Sequence, residues 1–177
     1  MNDEGIDIEE YEDDLLEPSE QNKTRRKKHE EPPPKPDRLY DYLEARFGIP
    51  KNSFEGYCLY LGSKNKIYLG PKSAPDKLKI ICIGISIARM DGGIKPTTNL
   101  FQVFGNLVTA NFVELGLEQA MEYVKGGDLT ILEQKPSVSD GYVLLRYQSN
   151  NLGCGLLKNG IVKNMLPKAR RMKLNYL

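Results

Sequence analysis

Residues 141–171 read GYVLLRYQSNNLGCGLLKNGIVKNMLPKARR, and this stretch decides the fold. Tyr142 to Tyr147 mixes aromatic, β-branched and aliphatic residues, as a strand does. Ser149-Asn150-Asn151 are turn formers, and Leu152 to Lys158 reads as a second strand. Asn159-Gly160 is the pair a type I′ hairpin needs, because both central residues take positive φ. Ile161 to Asn164 returns as a third strand, which Pro167 stops. Beyond it lie Lys168, Arg170, Arg171 and Lys173, and no acid follows Asp140. A small antiparallel meander ending in a row of cations suits a surface that grips phosphate.

Working outward, Leu78 to Ala88 (LKIICIGISIA) is the most apolar stretch of the chain. It predicts a central buried strand, with Gly84 as a bulge or close approach. Arg89 follows it. The turn Asp91-Gly92-Gly93 leads to Ile94-Lys95-Pro96, and Thr97 or Thr98 can cap a short helix through Phe104. Asn111 to Leu115 reads as a strand, and Leu117, Ala120, Met121 and Val124 line one helical face before Gly126-Gly127. Upstream, Asp37 can cap a helix carrying Leu39, Tyr42, Leu43 and Phe47 on one face and ending at Gly48 and Pro50. Tyr57 to Leu61 and Lys66 to Leu69 alternate like a hairpin around Ser63-Lys64-Asn65, and Pro71 to Pro75 reads as loop. Short strands with a few short helices between them indicate an α+β fold.

These blocks resemble a known family. Gly141-Tyr142-Val143, Leu152-Gly153 with Gly155, Lys163-Asn164, and Leu166-Pro167-Lys168 followed by Arg170 or Arg171 are similar to the PUA-like domain. That domain closes the Sun-type RNA cytosine-5 methyltransferases and occurs in short archaeal proteins. A second block, Gly92-Gly93-Ile94-Lys95-Pro96-Thr97 and then Val113-Glu114-Leu115, resembles its middle. The likeness covers roughly residues 78 to 171 and more loosely reaches back to 37. One departure is Leu156, which stands where the family often has a lysine, with Lys158 further along. The resemblance implies a β pseudobarrel over 78–177, with residues 37–77 as an N-terminal helix and hairpin extension.

Residues 1–36 predict a disordered tail. The first twenty hold ten acids and no base, Lys23 to Lys28 form a basic knot, and Pro32-Pro33-Pro34 with Pro36 make a stiff spacer. The tail can stay solvated, fold back on a basic face, or bind a basic partner. From Asp37 onward nineteen Lys and Arg stand against twelve Asp and Glu, a surplus of seven inside a net charge of +1. Such a surplus favours a polyanion, although domains of this size also carry charge for solubility.

Mean hydropathy of −0.49 and the lack of an 18-residue apolar run speak against a membrane helix. The acidic N-terminus does not read as a signal peptide. Three widely spaced cysteines, Cys58, Cys82 and Cys154, suit a reducing compartment, so a cytoplasmic protein is expected.

Catalysis is not expected. His29, the one histidine, falls in the tail, so the folded part has no histidine for a triad or a metal site. The cysteines lack zinc spacing, and no glycine-rich phosphate loop opens a helix. None of the cysteines follows Pro or Thr, as the two catalytic cysteines do in the methyltransferases this domain accompanies, and the methyltransferase body is missing from these residues. No cofactor or metal is expected.

The expectation is RNA binding. Lys163, Lys168, Arg170, Arg171 and Lys173 are the first candidates for phosphate contact. Lys163, Lys168 and one of the arginines also occupy positions of the family pattern. Lys95 and Thr97 match its second block, and Arg89 lies near them in sequence. Tyr147 and Asn164 could stack on or hydrogen-bond a base, and the competing reading for Tyr147 is burial in the sheet. The expected partners are ribosomal or transfer RNA and, beside it, a separately encoded RNA methyltransferase or a ribosomal protein. The alternative function is a protein-interaction module working through the acidic tail.

Overall fold

Leu39, Leu43 and Phe47 recur at four-residue intervals, so a helix places all three on one side. In the computed structural model that helix is α1, Pro36–Phe47, and all three side chains are fully buried. The structure describes residues 36–73, 83–131 and 137–172. Tail residues 1–35, the first five residues of the expected 78–88 strand, and Lys173 fall outside them.

Among the described residues nine strands form two sheets. The first is fully antiparallel in the order β1 (Tyr57–Leu61), β2 (Lys66–Pro71), β3 (Ile85–Met90) and β4 (Ile94–Pro96). The expected helix and hairpin therefore do not stand apart, because β2 hydrogen-bonds directly to β3. Within the described part of the apolar run the strand begins at Ile85, after Gly84, and the expected start at Leu78 lies outside the described residues. Gly84 explains the start. Its φ is +71°, and it lies against the Leu69 carbonyl, so the chain turns sharply there before pairing.

The second sheet runs β5 (Phe112–Glu114), β7 (Gly141–Tyr147), β8 (Asn150–Lys158), β9 (Ile161–Asn164) and β6 (Leu129–Thr130). Of these pairs, β5 and β7 alone run parallel. Asn159 and Gly160 close the β8–β9 hairpin at φ +50° and +77°, as their identities require. The preceding turn is centred earlier than its polar run suggests. Gln148 and Ser149 take the positive φ values, and Asn150 already belongs to β8.

The described part holds two further α-helices, α2 (Thr98–Phe104) and α3 (Leu117–Lys125), besides short 3-10 turns. One apolar cluster lies between α1, α2, the first sheet and one face of β7–β8, where Phe47 meets Phe101 edge-on at 5.0 Å. The other lies between α3 and the opposite face of β7–β9. Alternation along β7 serves both: Leu144 enters the first cluster, Val143 and Leu145 the second. In α3 Ala120 is buried and Val124 packs against the cluster as the apolar pattern marks, but Tyr123 joins them at full burial and Leu117 is 60 % exposed. Tyr123 wins its place because its hydroxyl finds a buried acceptor, the Cys154 carbonyl, at 2.9 Å.

Arg46 fastens α1 to the second sheet by donating to the carbonyls of Tyr142 and Ser139, at 2.8 and 3.1 Å. Asn111, at φ +53°, donates to the Arg46 carbonyl at 2.7 Å and accepts from the Ser139 amide at 2.8 Å. Each bond satisfies a group that folding withdraws from water.

Candidate nucleic-acid interface

The β9 strand and the residues after it alternate strictly: Ile161, Lys163 and Met165 are exposed, while Val162, Asn164 and Leu166 are buried. Lys163 therefore stands on the outer side, opposite Leu156 in the β8 register. Pro167 follows the strand, and Lys168–Arg170 form one 3-10 turn with all three residues exposed. Arg170 does not wave free. Its guanidinium donates to Asn99 Oδ1 at 2.6 Å and to Gln102 Oε1 at 2.8 Å, so the turn is braced on α2. Asn99 in turn donates to the Ser86 carbonyl of β3 at 2.9 Å.

The first sheet reaches the same region through its edge strand. The Pro96 carbonyl lies 3.7 Å from the buried Cys154 Sγ, and the Cys154 carbonyl accepts from the Met165 amide at 3.2 Å. Thus β4 touches the middle of β8, and β8 lies between β4, which carries Lys95, and its sheet neighbour β9, which carries Lys163. Lys95 is exposed and has one acid near it, Asp91 at 3.9 Å.

Several expected contacts have other tasks. Asn164 is buried and its amide is fully used. Nδ2 donates to the carbonyls of Tyr123 at 2.7 Å and Gly127 at 2.9 Å, and Oδ1 accepts from the Leu166 amide at 2.8 Å. It ties β9 to the end of α3 and is not offered to a base. Thr97 donates its hydroxyl to the Ser86 carbonyl at 2.7 Å, so it fixes the β4–α2 joint. Arg171 lies along Gly126, and its Nε donates to the Leu166 carbonyl at 3.2 Å. Tyr147 is half-buried against the second cluster. Arg89 is half-exposed on β3, and Lys168 and Lys163 remain accessible.

Cys154 is fully buried, and burial pushes its thiol well above the ordinary range, with Arg46 acting in the opposite sense. A thiol held in that state is a packing residue, not a nucleophile. Among the described residues no group of three or more His, Cys, Asp or Glu is placed to hold a metal, and no helix is long and apolar enough to cross a membrane.

The antiparallel meander, the parallel strand on its far edge and the cationic turn at its end all lie within one stretch that matches a known family. Residues 110–172 match the family model described as the Methyltransferase RsmF PUA domain. The chain is 29 % identical over 136 residues to the ribosomal RNA small subunit methyltransferase F of Psychromonas ingrahamii, covering 73 % of this chain and 27 % of that protein. It is 30 % identical over 131 residues to the enzyme of the same name from Aeromonas hydrophila, covering 71 % of this chain and 26 % of the relative. The chain thus spans about a quarter of the length of the curated relatives it matches.

Proposed function

We propose that these residues bind structured ribosomal RNA and act by docking, not by chemistry. The observation that carries this reading is the bracing of Arg170 on α2, which fixes the exposed cationic turn after β9 against a helix that is itself bonded to β3. A cation held in place loses less freedom on meeting phosphate than one on a free terminus. Phosphate contacts of this kind set affinity and register. The names of the curated relatives favour small-subunit ribosomal RNA over transfer RNA as the target.

In this reading methyl transfer belongs to a methyltransferase that the domain brings to, or holds on, the RNA. A ribosomal protein could be met at the same place, and the setting would be the cytoplasm. The test is binding of the full chain to small-subunit rRNA fragments by fluorescence anisotropy across a salt series. Lys163→Ala with Lys168→Ala is expected to weaken binding and to flatten the slope of log K against log salt by about one per lysine. An unchanged affinity and slope would defeat the proposal.

A further inference from the structure

The register of the first sheet produces something its sequence does not announce. Lys66 of β2 pairs with Arg89 of β3, and Arg89 pairs with Lys95 of β4. Directly paired residues share a sheet face. The three cations therefore form one row across three strands, spanning about 10 Å at the usual interstrand spacing. Their neighbours along the strands, Ile67, Ala88, Met90 and Pro96, are buried, so the row lies on the outer face. Like charges placed directly opposite each other destabilise a sheet. Among the described residues Lys66 and Arg89 have no ion-pair partner, and Asp91 reaches Lys95 alone.

Aromatic surface adjoins the row. Tyr68, two residues from Lys66, points to the same face and is half-exposed. Its ring lies against Gly62, where an added Cβ would meet the ring edge at 2.5 Å. Tyr60, its cross-strand partner, lies against Gly70 and donates its hydroxyl to the Pro71 carbonyl at 2.6 Å. Both rings are thus held by backbone, and Ser86, which pairs with Tyr68, connects this face through Asn99 to Arg170.

We propose that the outer face of the first sheet is a second RNA-binding site, which takes an unpaired strand of the RNA docked at the cationic turn. Lys66, Arg89 and Lys95 neutralise successive phosphates, and a base stacks on Tyr68. A row of charges beside fixed aromatic rings is the chemistry that single strands require, since every base offers a π face. A duplex would bury its bases away from the ring. The inference rests on the RNA-docking reading and extends it to the segment flanking the docked element.

The test uses the full chain and two probes, a twelve-nucleotide oligouridylate and a hairpin fragment of small-subunit rRNA carrying a single-stranded flank. Lys66→Gln with Arg89→Gln is expected to weaken oligouridylate binding about tenfold and to flatten its salt slope by about 1.4, or 0.7 per phosphate contact. Its thermal midpoint should match or exceed the parent's, because a like-charge pair is relieved. Tyr68→Leu is expected to weaken binding about tenfold with the salt slope unchanged. If both variants bind both probes as the parent does, while Lys163→Ala with Lys168→Ala still loses the hairpin, this site is refuted and the docking face stands. If none of the three loses RNA, both readings fall.

Discussion

Gly84→Ala is expected to lower the thermal midpoint by about 10 °C, the equivalent of roughly 3 kcal/mol for a domain of this size. Two effects add. At φ +71° an alanine carries the left-handed penalty of about 1–2 kcal/mol. Its Cβ would also enter the Leu69 carbonyl and lie 2.7 Å from Gly70 Cα, and neither backbone atom can move without opening the β2–β3 pairing. Gly92→Ala separates the two terms. Gly92 has φ +61° with nothing within 4 Å of the added atom, so it should cost only about 1 kcal/mol. Equal midpoints for the two variants in a calorimetric scan would refute the steric account.

Asn164→Ala should cost about 3 kcal/mol or more. It removes both donors to the carbonyls of Tyr123 and Gly127 and the acceptor for the Leu166 amide, in a site too buried for water to replace them freely. Asn164→Asp is no remedy near neutral pH. It keeps the acceptor but turns a charged oxygen towards two carbonyls, which raises the native-state pKa of the new carboxyl. The penalty is present above that pKa and fades as pH falls through it towards the unfolded value, where the neutral acid can donate again. Denaturant titrations at pH 7 and pH 4.5 check the sign: the Asp variant should recover relative to Ala in acid, and a parallel loss at both pH values would contradict the hydrogen-bond account.

How much of this was legible depended on the range of each interaction. The hairpin at Asn159-Gly160, the β9 strand and α1 rest on neighbours in sequence, and their identities suffice. The turn after β7 misled because Asn150 and Asn151 carry turn chemistry yet serve the β8 ladder, where Asn151 accepts from Arg146 Nε at 3.2 Å. The parallel pairing of Phe112–Glu114 with Leu144–Arg146 joins distant segments and leaves no local mark. For the candidate site, charge counting pointed to Lys163, Lys168 and Arg170, which are exposed. The family likeness and base chemistry chose Thr97 and Asn164, whose polar atoms turn inward to the protein's own carbonyls. Lys66 was missed because its place beside Arg89 is set by the shift in register at Ile67/Tyr68, which skips Ile87. The glycine under Tyr68 was the available hint, and its meaning depends on the same fold.

The union of β2 with β3 has a practical bearing on any attempt to cut this protein down. A fragment begun at residue 78, where the sequence likeness to the family begins, would leave the Ile85–Met90 strand with bare amides and carbonyls along one flank. It would also uncover Ile87, Ala88 and Phe101, which α1 and the first hairpin now keep dry. An unpaired, apolar border of that sort recruits other chains. The shortest piece that should stay dispersed in a test tube starts at α1.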